Sequence, residues 1–225
     1  MFVLLALVSV VSTASAVGTS ADALMPPEQY TTAKGRALAA RYQPQMVGLF
    51  DFLFHCTPWV DVQRASLGFR TPRGSQADDR FLSVWIWIDQ HDDGPLAKIP
   101  QEQRASAMFS RYGVFLLQRM AAIPGLDADP DVSGYSVVLS WIRPDSRGSK
   151  ASPEVNETIV MFVDKATARD YLAKQLAPAD FVSRSKLILF NGTAEIGRIG
   201  LEVWDDPFAQ SFKPANYKPA KGKGC

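Results

Sequence analysis

The chain has 225 residues and a formal net charge of +1; 47% of its residues are hydrophobic, 11% aromatic and 21% charged, with two cysteines and two histidines. This is too apolar for a chain that is disordered as a whole. It is too evenly charged for a nucleic-acid binder, which carries a basic patch or stripe, so nucleic acid is not an expected partner.

The mainly apolar stretch from Phe2 to Val11, followed by Ala14-Ser15-Ala16, reads as the h-region and small-residue exit of a secretory signal. It is too short to span a bilayer, which takes about 20 apolar residues. Cleavage is expected after Ala16, and Ala21-Asp22-Ala23 is a second small-residue site. The mature protein is thus expected to be exported, periplasmic or extracellular, with about 209 residues and no transmembrane segment.

Residues 17–27 are small, polar and Pro-ended, and read as a linker. Apolar residues recur at helical spacing through 28–42 (Tyr30, Ala33, Ala37, Leu38, Tyr42). Pro44 should kink or break that helix, with a second piece over 44–55. Residues 59–70 predict a strand, 71–79 a polar loop, and 80–88 the clearest strand. In this last strand Leu82, Val84, Ile86 and Ile88 point one way and Phe81, Ser83, Trp85 and Trp87 the other. Both sides are apolar, which predicts a central strand covered on both faces.

Residues 100–123 predict a long helix, opened by Pro100 and stopped by Pro124-Gly125. Strands are expected over 135–142 and 158–163, followed by a helix over 165–176 with Asp164 as its N-cap and Pro178 as its stop. Strands over 186–190 and 196–204 should form a hairpin around Asn191-Gly192. In the last strand Ile199, Leu201 and Val203 alternate with polar residues or Gly, one face buried and one wet. The segment from Lys213 is Lys- and Pro-rich with four lysines and no acid, and it leaves the remainder 20 basic against 23 acidic residues. It should run extended.

These elements predict an α+β fold: a mainly antiparallel sheet of about six strands with three to four helices packed on it, ferredoxin-like halves being one way to arrange them. The expected organisation is a signal over 1–16, a linker over 17–27, one domain over 28–212 and a tail over 213–225.

Four groups of residues could carry chemistry. In an oxidising compartment Cys56 and Cys225 would most simply form one disulfide. It would close a loop of about 170 residues, nominally worth about 5 kcal/mol. Asp89, His91, Asp92 and Asp93 gather three carboxylates and an imidazole at a strand end, where an acid and a base could act; a solvated turn is the plainer reading. Trp85 and Trp87 on one strand, with Trp141 and Tyr135 on another, would form either a ligand-binding surface or core. Trp204-Asp205-Asp206-Pro207-Phe208 reads as a strand-ending turn.

The chain contains no G-x-S-x-G, H-E-x-x-H, C-x-x-C, P-loop or dinucleotide fingerprint, and no cofactor is implied. The leading expectation is an exported, non-enzymatic domain that binds an unidentified protein or small-molecule ligand in the cell envelope or outside it. The alternatives are a small carboxylate-dependent hydrolase or lyase centred on residues 89–93, and a structural subunit tethered through Cys225.

Overall fold

The computed structural model describes residues 19–57, 59–72, 75–89, 98–148, 153–198 and 200. A mixed sheet of seven strands carries helices on one face. The helices are α1 (Ser20–Ala23), α2 (Ala33–Cys56), α3 (Gln101–Met108), α4 (Val114–Ala121), α5 (Lys165–Leu172) and α6 (Pro178–Arg184). The strands are β1 (Val60–Val62), β2 (Gly68–Arg70), β3 (Phe81–Ile88), β4 (Gly134–Ile142), β5 (Asn156–Asp164), β6 (Lys186–Asn191) and β7 (Ala194–Arg198). Their order across the sheet is β1-β3-β4-β5-β6-β7, and β2 also pairs with β3, beyond β1 along the strand.

The α+β class holds, and the sheet is mainly antiparallel but mixed, because β3 and β4 run parallel. The cause is the long α3–α4 helix between them, which carries the chain back to the end of the sheet where β3 began. Because β3 and β4 are direct neighbours, no strand separates them as in the split βαβ of a ferredoxin-like half.

Several local features depart from the sequence expectation for identifiable reasons. Helix α2 runs unbroken through Pro44. Pro44 has no N–H to give the Ala40 carbonyl, a loss of about 3 kcal/mol in a helix interior. The buried stripe Leu38, Tyr42, Met46, Leu49, Phe50 and Leu53 continues on both sides of it and holds the helix to the sheet. Thr32 caps its start, accepting from the Gly35 N–H at 3.2 Å.

The strand expected over 59–70 is two short strands, separated where Ala65 takes a φ of 51°. A π-helical turn, Phe109–Gly113, joins α3 to α4, and hydrophobic spacing alone does not reveal it. Helix α6 begins at Pro178, so that proline opens a helix as well as ending the approach from α5. Asp164 caps α5 as expected, accepting from the Thr167 N–H at 2.8 Å.

In the β6–β7 hairpin Asn191 pairs with Ala194, which makes Gly192-Thr193 the turn. Gly192 has φ 61° and Thr193 is not in the positive region, the arrangement of a type II′ turn. Ile196 is then an extra residue bulged between Glu195 and Gly197, and it is 52% exposed. Of the strand expected over 196–204, Ile199 and everything from Leu201 onward lie outside the described residues.

Residues 19–27, expected as a linker, pack against the body: Ala23 is fully buried, Met25 nearly so, and Leu24 forms a parallel bridge with Leu67.

The core lies between the sheet and the helices. Rows such as Val84–Val137–Met161–Leu187 and Ile86–Leu139–Ile159–Leu189 cross four strands and are buried throughout. The main polar feature on this side is a buried ion pair. The Arg104 guanidinium of α3 donates through Nη2 to Glu157 Oε1 at 2.5 Å and through Nε to Oε2 at 3.0 Å. Trp141 Nε1 also donates to Glu157 Oε2, at 2.7 Å. Glu157 is fully buried, so these three donors replace the water it lost.

Candidate functional site

Among the described residues no α-helix covers the opposite face of the sheet. Its residues follow from the strand registers. One row is Trp85–Val138–Val160–Ile188, each the Cα partner of the next. On one side of it lies Ser83–Ser136–Phe162–Lys186, and on the other Trp87–Ser140–Thr158–Phe190–Glu195. Trp85 is 42% exposed, and Val138, Val160, Phe162, Ile188 and Phe190 are half-buried. Together with the rim they line a broad groove of about 1080 Å³. The expectation that β3 is covered on both faces is therefore corrected: its Leu82, Val84, Ile86 and Ile88 face is sealed and its Trp85 face is open.

Trp85 is held in place by its neighbours. Its Nε1 donates to Ser140 Oγ at 2.8 Å, and Ser140 Oγ shares a 2.8 Å hydrogen bond with Thr158 Oγ1. Its backbone is engaged by the loop between β1 and β2: Gln63 N–H donates to Trp85 O at 2.8 Å, and Ser66 Oγ accepts from Trp85 N–H at 3.3 Å. Its polar edge is satisfied and the ring remains open to the groove, an arrangement suited to stacking.

Of the other aromatic candidates, Trp87 lies half-buried one row away on the same face. Tyr135 and Trp141 stand on the opposite face, each nearly fully buried. The parallel register explains this: Tyr135 partners Leu82 and Trp141 partners Ile88, so both join the core set of β3. Burial, with Asp127 nearby, pushes the Tyr135 phenol up to about 12. The residues that complete the open face, Val138, Val160, Ile188 and Phe162, do not stand out one at a time in the sequence. The available signal was the alternation in three successive strands, where Ser, Thr or Lys shares every second position with the apolar residues.

Of the carboxylate group, only Asp89 lies among the described residues; His91, Asp92 and Asp93 lie outside them. The Asp89 N–H donates to Trp59 O at 2.8 Å. The structure adds a neighbour, Asp61 of β1, whose carboxyl is raised by burial and then by the charge of Asp89. Among the described residues no group of three or more His, Cys, Asp or Glu side chains is placed to hold a metal ion. Cys56 ends α2, and its expected partner Cys225 lies outside the described residues, as do Trp204, Asp205, Asp206 and Phe208.

Among the described residues no helix is long and apolar enough to cross a membrane. Compared with protein-family models, curated proteins and solved structures, the chain matches none.

Proposed function

We propose that this protein is an exported, non-enzymatic binding domain whose ligand or partner lies on the open face of the sheet. The observation that carries the reading is the face itself. A sheet that buries one side under helices presents on the other an exposed, hydrogen-bonded Trp85 amid half-buried valine, isoleucine and phenylalanine. An apolar surface of this extent on a single chain marks a binding site. Titration with the neutral apolar dye N-phenylnaphthylamine tests it. The full chain is expected to enhance the dye's fluorescence saturably, and Val160→Lys, at a half-buried position in the middle row, to weaken binding about tenfold or more. Equal binding by a folded Val160→Lys protein would refute the assignment.

The export reading rests on the sequence of residues 1–16, and the contacts of residues 22–25 favour Ala16 over Ala23 as the cleavage site. Ala65 N–H donates to Asp22 O at 2.8 Å, Ser66 N–H to Ala23 O at 2.9 Å, and Met25 N–H to Leu67 O at 2.8 Å. Cleavage after Ala23 would remove the first two acceptors and the buried Ala23 side chain. Mass spectrometry of exported protein is expected to find Val17 at the N-terminus; Leu24 there would contradict the packing argument. Cys56 is expected to pair with Cys225, giving a monomer band that shifts on reduction in a gel, whereas a dimer band would support tethering between chains.

A further inference from the structure

We infer that the ligand of the open face is an amphipathic anion, a long-chain carboxylate in its simplest form, with its apolar chain along the Trp85–Ile188 row and its acidic group at Arg70. The inference rests on the open-face reading above and specifies the ligand chemistry of that site.

The face is polarised along its strands. Arg70 partners Phe81 at the end where β3 starts, and Lys186 partners Phe162 at the same end of β5 and β6. Glu195 partners Phe190 at the far end. Between them the row Trp85–Val138–Val160–Ile188 crosses four strands, three spacings of about 4.8 Å, or about 14 Å of apolar track. A ligand with one apolar body and one charged end matches this layout, and the placement of the charges decides the sign of that end.

Arg70 is the key group. It is half-buried in the groove wall, and its Nη2 donates to Ala65 O at 2.6 Å. Arg80, Arg104 and Arg143 are also partly or fully buried, and each holds a carboxylate: Asp78, Glu157 and Asp145 respectively. Among the described residues no carboxylate pairs with Arg70 or with Lys186. Nearby Asp164 is committed to capping α5, with both oxygens on Thr167. Beside Arg70, Thr71 Oγ1 is buried, lines the same groove and has no hydrogen-bond partner. A partly desolvated guanidinium retains donors suited to a carboxylate, and Thr71 supplies a hydroxyl next to it. Glu154 and Glu195 on the far rim would repel an acidic group placed there; Arg198, the Cα partner of Ile188 at the other end of the row, is exposed to water, which leaves the half-buried Arg70 as the less hydrated cation.

The test is calorimetric titration of the full chain with dodecanoate, dodecanol and dodecylamine, each kept monomeric. Dodecanoate is expected to bind about tenfold more tightly than dodecanol, with dodecylamine weakest. Arg70→Gln should abolish the preference, bringing dodecanoate affinity to that of dodecanol measured on the same variant, and Arg70→Lys should restore part of it. Equal affinities in the unaltered protein, or a preference that survives Arg70→Gln, would overturn the assignment of an anion at Arg70 while leaving the open-face reading intact. Failure of all three probes to bind, or binding that Val160→Lys does not weaken, would overturn the open-face reading itself. Sedimentation with anionic phospholipid vesicles in the absence of dodecanoate binding would point to a membrane surface and refute a monomeric ligand.

Discussion

Met161 and Val160 are adjacent on β5, yet one is fully buried under the helices and the other faces the open groove. The same contrast holds across the sheet. On the covered face the rows are apolar apart from Glu157, whose charge is met by Arg104 and Trp141, Asn191 beside it, and the buried hydroxyl of Tyr135. On the open face serine, threonine and lysine interrupt the apolar residues, and among the described residues no carboxylate pairs with Arg70. One face thus meets its buried charge internally and is packed as the core. The other leaves apolar area and cationic donors available, and it is the face on which we propose binding.

The largest expected effect comes from the covered face. Glu157→Ala would leave the Arg104 guanidinium without its carboxylate in a largely buried site, at a cost of about 3–5 kcal/mol. Urea denaturation should show this as a large fall in midpoint. If the midpoint barely moves, the ion pair does not anchor α3 to the sheet.

Next comes the adjacent pair. Met161→Ala should cost about 2–5 kcal/mol through the cavity it leaves. Val160→Ala should cost about 1 kcal/mol or less, because its methyl groups are only half-buried. Equal losses in parallel denaturation curves would mean that the open face is packed as tightly as the core.

A smaller, pH-dependent effect separates the helix layer from the open face. Burial alone would raise the carboxyl of Asp129, but hydrogen bonds from the Asp131 N–H, the Tyr42 hydroxyl and the Arg41 guanidinium outweigh it and hold the group below the usual carboxylate range. A folded value below the unfolded one gives stability that is fully present above about pH 4 and lost as pH falls through the lowered value. Asp129→Asn should therefore lower stability at neutral pH and flatten its decline in acid. An unchanged acid profile would show that Asp129 is not the linked group.

Much of the fold was legible because period and caps act locally. Asp164 capping α5, the alternating Leu82–Ile88 set and the long helix before β4 all follow from neighbours in sequence. What was not legible depends on pairing between distant segments. The parallel register places Tyr135 and Trp141 with Leu82 and Ile88 rather than with Trp85, and composition carries no trace of that register. Pro44 looked like a break because its cost is local, whereas the stripe that outweighs it is tertiary. For the site, Trp85 was visible as a large residue on an alternating strand. Arg70 was not, because what sets it apart, that no carboxylate among the described residues pairs with it, emerges only in the folded arrangement.

The most direct test of the division between faces is a methyl-resolved NMR titration with dodecanoate. Adjacent residues with opposite orientations serve as internal controls: Val137 and Val138, Ile159 and Val160, Leu187 and Ile188. The division between faces predicts shifts at Val138, Val160 and Ile188, with Val137, Ile159 and Leu187 unmoved. Shifts centred on the second set, or none on the first, would contradict it.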